Sequence, residues 1–202
     1  MGKTTTSHQR SGKGLLVIIS SPSGGGKSTV IGALRRRHTE FLYSISTTTR
    51  DKRRGERNGI HYNFVSPEQF KRLVKTGQLV EWASVHDQYY GTPKANIVRA
   101  HRMRRVMLFD LDVQGTASMR KSVPSVVTIF LLPPSWEILK KRLQDRRSET
   151  EAQRRRRLKT ARAELQRRSE YEYWVINDRL DACVSDCEAI IRAEILRSEA
   201  RR

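Results

Sequence analysis

The stretch Leu15-Leu16-Val17-Ile18-Ile19-Ser20-Ser21-Pro22-Ser23-Gly24-Gly25-Gly26-Lys27-Ser28-Thr29 decides how the rest of the chain is read. Its first five residues are an unbroken apolar run, short enough for a strand and apolar on both faces, as a strand inside a parallel sheet must be. Glycines follow, and residues 27–37 take up a helical pattern. Two further apolar runs lie outward along the chain, at residues 106–109 and 126–132. Helical patterns accompany them at 113–121 and 135–144, with Ser135 as the predicted N-cap of the latter. Strand and helix alternate, so the expected fold is α/β, a parallel sheet flanked by helices.

The glycine stretch has chemistry of its own. Without Cβ atoms, Gly24, Gly25 and Gly26 allow the backbone to curl with its N–H groups inward, forming an anion nest at the start of a helix. Gly26-Lys27-Ser28 matches the end of the P-loop pattern, although Ser21 stands at its first position in place of glycine. The preceding strand and following helix supply the context that the pattern demands. Ser23, Gly24, Gly25, Gly26, Lys27, Ser28 and Thr29 are therefore the expected ATP-binding residues. Lys27 would bridge the β and γ phosphates, and the Ser28 hydroxyl would ligate Mg2+.

Composition bounds the alternatives. A chain of 202 residues, 37% hydrophobic and 30% charged, is sufficient for one buried core, and it contains no apolar stretch long enough to cross a bilayer. Residues 1–13 are polar and basic, without the apolar centre of a secretory signal; a disordered tail and a cytoplasmic location are expected. Cys183 and Cys187 are four apart in a helical pattern, which predicts reduced, buried thiols on one face rather than a disulfide. The formal net charge of +19 implies affinity for polyanions without choosing among them.

Two regions interrupt the alternation. Residues 47–93 read as an insertion holding a second ligand, with a strand at 61–65, a helix at 67–75 and a strand at 79–83. Residues 140–168 contain 13 Lys or Arg against four acids, a lid candidate followed by a long helix. Arginines 154–157 fan around a helix axis, so weak, salt-sensitive polyanion binding is expected from them. The tail from 179 onward has Leu180, Val184, Ile191 and Ile195 at helical spacing, a face that would dock on the core. Trp82, Trp136 and Trp174 are predicted to be packing residues.

Ser46-Thr47-Thr48-Thr49-Arg50-Asp51-Lys52-Arg53-Arg54-Gly55-Glu56, followed by Asn58-Gly59 and His61-Tyr62, resembles the guanylate kinase family. The likeness runs from about residue 15 to 196. It implies a P-loop NTPase-type sheet with core segments 14–46, 94–141 and 169–202, a GMP-binding insertion at 47–93, and a lid with its following helix at 142–168. The implied activity is ATP-dependent phosphorylation of GMP, and of dGMP, with Mg2+.

By resemblance, Ser46, Arg50, Arg53, Tyr62 and Tyr90 hold the GMP phosphate; guanidinium forks and hydroxyls suit a dianion. Glu81, Thr92 and Asp112 would read guanine, and Asp110 would organise Mg2+ through water. Arg142, Arg146 and Arg157 resemble the lid arginines that clamp the transferring group, and Asn177 matches a position near adenine. The catalytic set implied is Lys27, Arg50, Arg53, Arg142, Arg146 and Arg157. Three positions depart from the family's usual pattern: Lys52 in place of proline, Arg147 in place of glycine, and Arg154 in place of an apolar residue.

Two other readings compete. A noncatalytic guanylate-kinase-like module that binds proteins typically loses the loop lysine or GMP-site residues, whereas Lys27, Ser28, Arg50 and Arg53 are present. A related P-loop kinase with another phosphorylated acceptor would have no use for Glu81, Thr92 and Asp112.

Overall fold

The computed structural model describes residues 13–85, 87–144 and 151–200. The chain opens with β1 (Leu16–Ser20), α1 (Lys27–Arg37) and β2 (Leu42–Tyr43). An inserted segment follows, comprising β3 (Thr47–Thr48), β4 (Asn63–Phe64), α2 (Pro67–Lys75), β5 (Leu79–Val85) and β6 (Gln88–Pro93). The chain then runs through α3 (Lys94–Met103), β7 (Met107–Asp110), α4 (Val113–Ser122), β8 (Val127–Leu132) and α5 (Trp136–Gln144). It closes with α6 (Glu151–Gln166), a 3-10 turn at Arg167–Glu170, β9 (Tyr173–Ile176) and α7 (Leu180–Ala200).

The main sheet is parallel throughout, in the order β2-β7-β1-β8-β9. Every residue of β1 is buried, as its unbroken apolar run requires. Val17 and Ile19 face α1 and α7, meeting Val30, Leu34, Cys183, Val184 and Ile191. Leu16 and Ile18 face the opposite layer, with Ala100, Met107, Phe109 and Met119. Each of the Val, Leu, Ile, Phe and Met side chains among them contributes about 1.5–3 kcal/mol on leaving water. These two layers fix the carboxyl ends of β1 and β7, from which the site is built.

The inserted segment makes a separate four-stranded sheet, β4-β3-β6-β5. Its helix α2 begins where its caps are written: Ser66 accepts from the Gln69 N–H at 3.2 Å, the Gln69 side chain accepts from the Ser66 N–H at 2.9 Å, and Pro67 occupies the first turn. Phe70 of α2 is fully buried and stacks on Tyr89 of β6 at 5.4 Å, pinning helix to sheet.

Several expectations are refined. The strand expected at 61–65 is only Asn63–Phe64, because Gly59 (φ 72°) turns the chain and the ring of His61 accepts from the Arg57 N–H. Strands β2, β3, β6 and β9 and helix α3 have no counterpart in the sequence reading. The docking face of α7 is Cys183, Val184, Cys187 and Ile191, whereas Leu180, in the first turn, stays 37% exposed. Both cysteines are free and buried, as their spacing predicts. Of the tryptophans, Trp136 packs against Leu139 and Leu143, while Trp174 is 54% exposed and donates its indole N–H to the Arg168 carbonyl. Arg146 and Arg147 lie outside the described residues.

Candidate active site

β1 delivers the chain into the glycine loop at the carboxyl edge of the sheet. Gly24 and Gly26 take φ of 82° and 87°, left-handed values that side chains disfavour. A Cβ on Gly26 would also stand 2.4 Å from Nδ2 of Asn177. That amide fills the space and donates to the Gly25 carbonyl at 2.7 Å, while the Asn177 N–H binds the end of β8 through the Leu132 carbonyl. Asn177, expected near adenine, is thus buried as a brace of the loop, and it is not among the residues lining the cavity above the loop.

That cavity, about 370 Å3, is lined by residues 21–29 together with Asp112, Arg142 and Glu164. Lys27 is among these, its Nζ 2.7 Å from Asp110 Oδ1 and 3.0 Å from the Leu111 carbonyl. Arg142 donates to the Asn177 carbonyl at 3.0 Å, and Arg157 of α6 donates to the Ser23 hydroxyl at 3.3 Å. Arg142 and Arg157 therefore reach the loop or its brace.

A second cavity, about 180 Å3, opens between the main sheet and the inserted one. Lys27 and Asp112 line it too, with Ser46, Tyr62, Glu81 and Tyr90. Glu81 on β5 is 7% exposed and accepts from the Thr92 hydroxyl at 2.6 Å. Burial raises its carboxyl to about 7, the nearby Asp112 adding to the shift and the Thr92 hydrogen bond opposing it. Thr92 itself is fully buried behind Glu81, so it orients that carboxylate and does not line the cavity. Asp112 caps α4 with Oδ1, which accepts from the Gly115 N–H at 2.8 Å.

Beyond Tyr62 and Tyr90 the cleft widens into a space of about 580 Å3 that also takes in Ser28, Arg50, Arg53 and Asp110. The rings of Tyr62 and Tyr90 meet edge to face at 6.1 Å, and the Arg50 guanidinium lies 5.4 Å above Tyr62. Glu56 organises this corner: Oε1 accepts from Arg50 at 2.8 Å and Oε2 from the Arg53 N–H at 2.8 Å. The Arg53 side chain itself is exposed at the rim.

Three contributors have no counterpart in the sequence reading. Glu56 lies six residues from Arg50 inside the quoted motif, so its acid was legible as a partner. Asn96 steadies the connection before Ser46, donating to the Ser44 hydroxyl at 2.8 Å and the Ile45 carbonyl at 3.2 Å. Glu164 accepts from the Ser23 N–H across 141 residues of sequence, and no local pattern marks it.

Two cavities that meet at one lysine, on a parallel sheet whose first strand feeds a phosphate loop, define a P-loop nucleotide kinase. Comparison with known proteins narrows this. Residues 13–194 match the sequence profile of the family described as guanylate kinase. A guanylate kinase from Carboxydothermus hydrogenoformans is 39% identical over 185 residues, covering 92% of this chain and 91% of the relative. One from Rhizobium meliloti is 44% identical over 190 residues, 94% of this chain and 87% of the relative. The crystal structure of guanylate kinase from Anaplasma phagocytophilum superposes with a TM-score of 0.73 at 32% identity, over 91% of this chain and 87% of that one. The chain belongs to the guanylate kinase family.

Proposed function

We propose that this enzyme carries out the reaction its family is named for, transferring the γ-phosphoryl group of ATP to the phosphate of GMP, or of dGMP, with release of ADP and GDP or dGDP. The observation that carries the reading is that Lys27 and Asp112 line both the loop cavity and the cavity containing Glu81. A donor phosphate over the loop and an acceptor in the second cavity would then meet at Lys27, which suits in-line transfer without a covalent intermediate.

The loop N–H groups and Lys27 hold the donor phosphates. Ser46, Tyr62, Tyr90, Arg50 and Arg53 hold the acceptor phosphate, Arg50 exchanging its bond to Glu56 for the incoming dianion. Glu81 and Asp112 accept from the guanine N–H groups; Asp112 has Oδ2 for this, since Oδ1 caps α4. Arg142, Arg146 and Arg157 neutralise charge on the transferring group. The hydroxyl of Ser28 and the carboxylate of Asp110 line the same cleft and are hard oxygen donors, a set that fits Mg2+ held partly through water. Mg2+ when bound would supply charge neutralisation on the donor phosphates.

No helix among the described residues is long and apolar enough to cross a membrane, and a cytoplasmic enzyme is proposed. A coupled assay of the full chain with ATP, Mg2+ and a panel of nucleoside monophosphates tests the function. GMP and dGMP are expected to turn over, with AMP slower by about 10⁴-fold, because a site built on buried acceptors rejects a base that leaves them unpaired. Comparable turnover of AMP and GMP would refute it.

A further inference from the structure

The phosphate-loop cavity contains an acid that its chemistry does not call for. Of its two carboxylates, Asp112 is accounted for as the cap of α4. Glu164 belongs to a different element, α6, and its Oε2 accepts from the Ser23 N–H at 2.7 Å. Seven residues earlier on the same helix, and so on the same face, Arg157 donates to the Ser23 hydroxyl. The two side chains clasp one loop residue through its backbone and its side chain.

We propose that Glu164 and the phosphates of the donor nucleotide compete for the Ser23 N–H, so that α6 is held on the loop by a contact that the nucleotide replaces. The inference rests on reading the loop as the ATP site. One N–H cannot serve a carboxylate oxygen at 2.7 Å and a phosphate oxygen in the same place. A phosphate brought to that N–H would also stand beside the carboxylate, and neighbouring anions repel strongly in a partly dry cavity. Burial raises the Glu164 carboxyl above its usual range, the Ser23 N–H pulling the other way, so the carboxylate sits where its charge is already disfavoured. Arg157, by contrast, is a cation and can follow the phosphates in. Binding thus separates the two members of the clasp: the arginine remains and the glutamate leaves.

If Glu164 were only a structural tie for α6, its loss would loosen the loop and weaken nucleotide binding. Competition predicts the opposite sign. Calorimetric titration of full-length wild type, Glu164→Gln and Glu164→Ala with ATP and with ADP, at fixed Mg2+, reads the difference directly. GMP is the internal control, because Glu164 lines neither cavity assigned to the acceptor. Both variants are expected to bind ATP about tenfold more tightly, the scale of removing one close like charge at moderate dielectric, with GMP affinity unchanged. Glu164→Gln keeps the size and the acceptor oxygen, so it reports on charge even if Glu164→Ala folds poorly. Unchanged or weaker ATP binding by the folded Gln variant would overturn the proposal. Failure of wild type to bind ATP at all would instead remove the loop assignment, and this inference with it.

Discussion

The role proposed for Glu81 should make GMP binding depend on pH in a way that its surroundings set. Burial lifts its carboxyl to about 7, yet the proposed role requires the ionised form, which accepts from guanine N–H groups. Binding must therefore expel whatever proton Glu81 carries, and affinity grows as pH rises. With a pKa of about 7, roughly a tenth of the molecules are ionised at about pH 6 and nine-tenths at about pH 8. Kd for GMP should fall about tenfold over that interval and level off above it. The GMP phosphate loses its second proton near pH 6 and shifts affinity in the same direction, so the measurement needs a reference that shares that effect. Glu81→Gln supplies one: it keeps the size and the bond from Thr92 but has no titrating group. Calorimetric titration of both proteins with GMP across this range, in buffers of different ionisation enthalpy, gives the affinity ratio and the protons released. The ratio should widen about tenfold between the two ends, with about half a proton released by wild type near neutrality. A ratio independent of pH would refute the claim that Glu81 binds the base as a carboxylate.

The same substitution should stabilise the protein while weakening GMP binding. A carboxyl raised from 4.5 to about 7 on folding contributes stability that is complete below its ordinary pKa and lost as pH rises through about 7. At about pH 8, Glu81→Gln is therefore expected to raise unfolding free energy by up to about 3 kcal/mol, read by denaturant melts, with no gain near pH 4; a variant less stable than wild type at the higher pH contradicts it. Lys27→Met should leave the melt intact and lower kcat by at least about a hundredfold, the scale of losing an electrostatic contact to the transition state, and near-normal turnover would remove Lys27 from the mechanism. Gly26→Ala meets both a φ of 87° and the Asn177 amide at 2.4 Å. It should cost about 1–2 kcal/mol of stability and raise KM for ATP more than KM for GMP, whereas equal rises would mean that the brace serves the whole cleft. Nucleic acid should bind weakly and without sequence preference, with affinity dropping steeply as salt rises in a fluorescence titration; salt-independent or sequence-selective binding would point to a different use of the +19 charge.

What the sequence made legible was the part governed by short-range rules. Helix α1 begins at Lys27 because the glycines end there, and α2 spans Pro67–Lys75 because Ser66, Pro67 and Gln69 write its start. The central strands announce themselves as apolar runs long enough to need burial on both faces. Strands β2 and β3 are two residues long, too short to carry a period, and exist because a neighbouring strand offers partners. In the site, Lys27, Glu81, Asp112, Tyr62 and Tyr90 were all named from the motifs, and they line one cavity. The supporting contacts were hidden for a physical reason. Asn177 reaches Gly25 and Glu164 reaches Ser23 across more than a hundred residues, and nothing local to either distinguishes it from a solvated polar side chain.

The brace from Asn177 to the Gly25 carbonyl spans 152 residues, and this gives the molecule a timetable. The phosphate loop leaves the ribosome well ahead of the amide that fills the space over Gly26, which arrives only after the inserted sheet, the arginine-rich helix and β9 have been made. At about 5–20 residues per second, translation needs on the order of ten to thirty seconds to cross that interval. During that time the glycines lack the neighbour that holds their left-handed turns in place. Nucleotide affinity should therefore emerge late in synthesis, when β9 pairs with β8 and brings Asn177 to the loop, after the inserted sheet and the arginines of α5 and α6 have already been made.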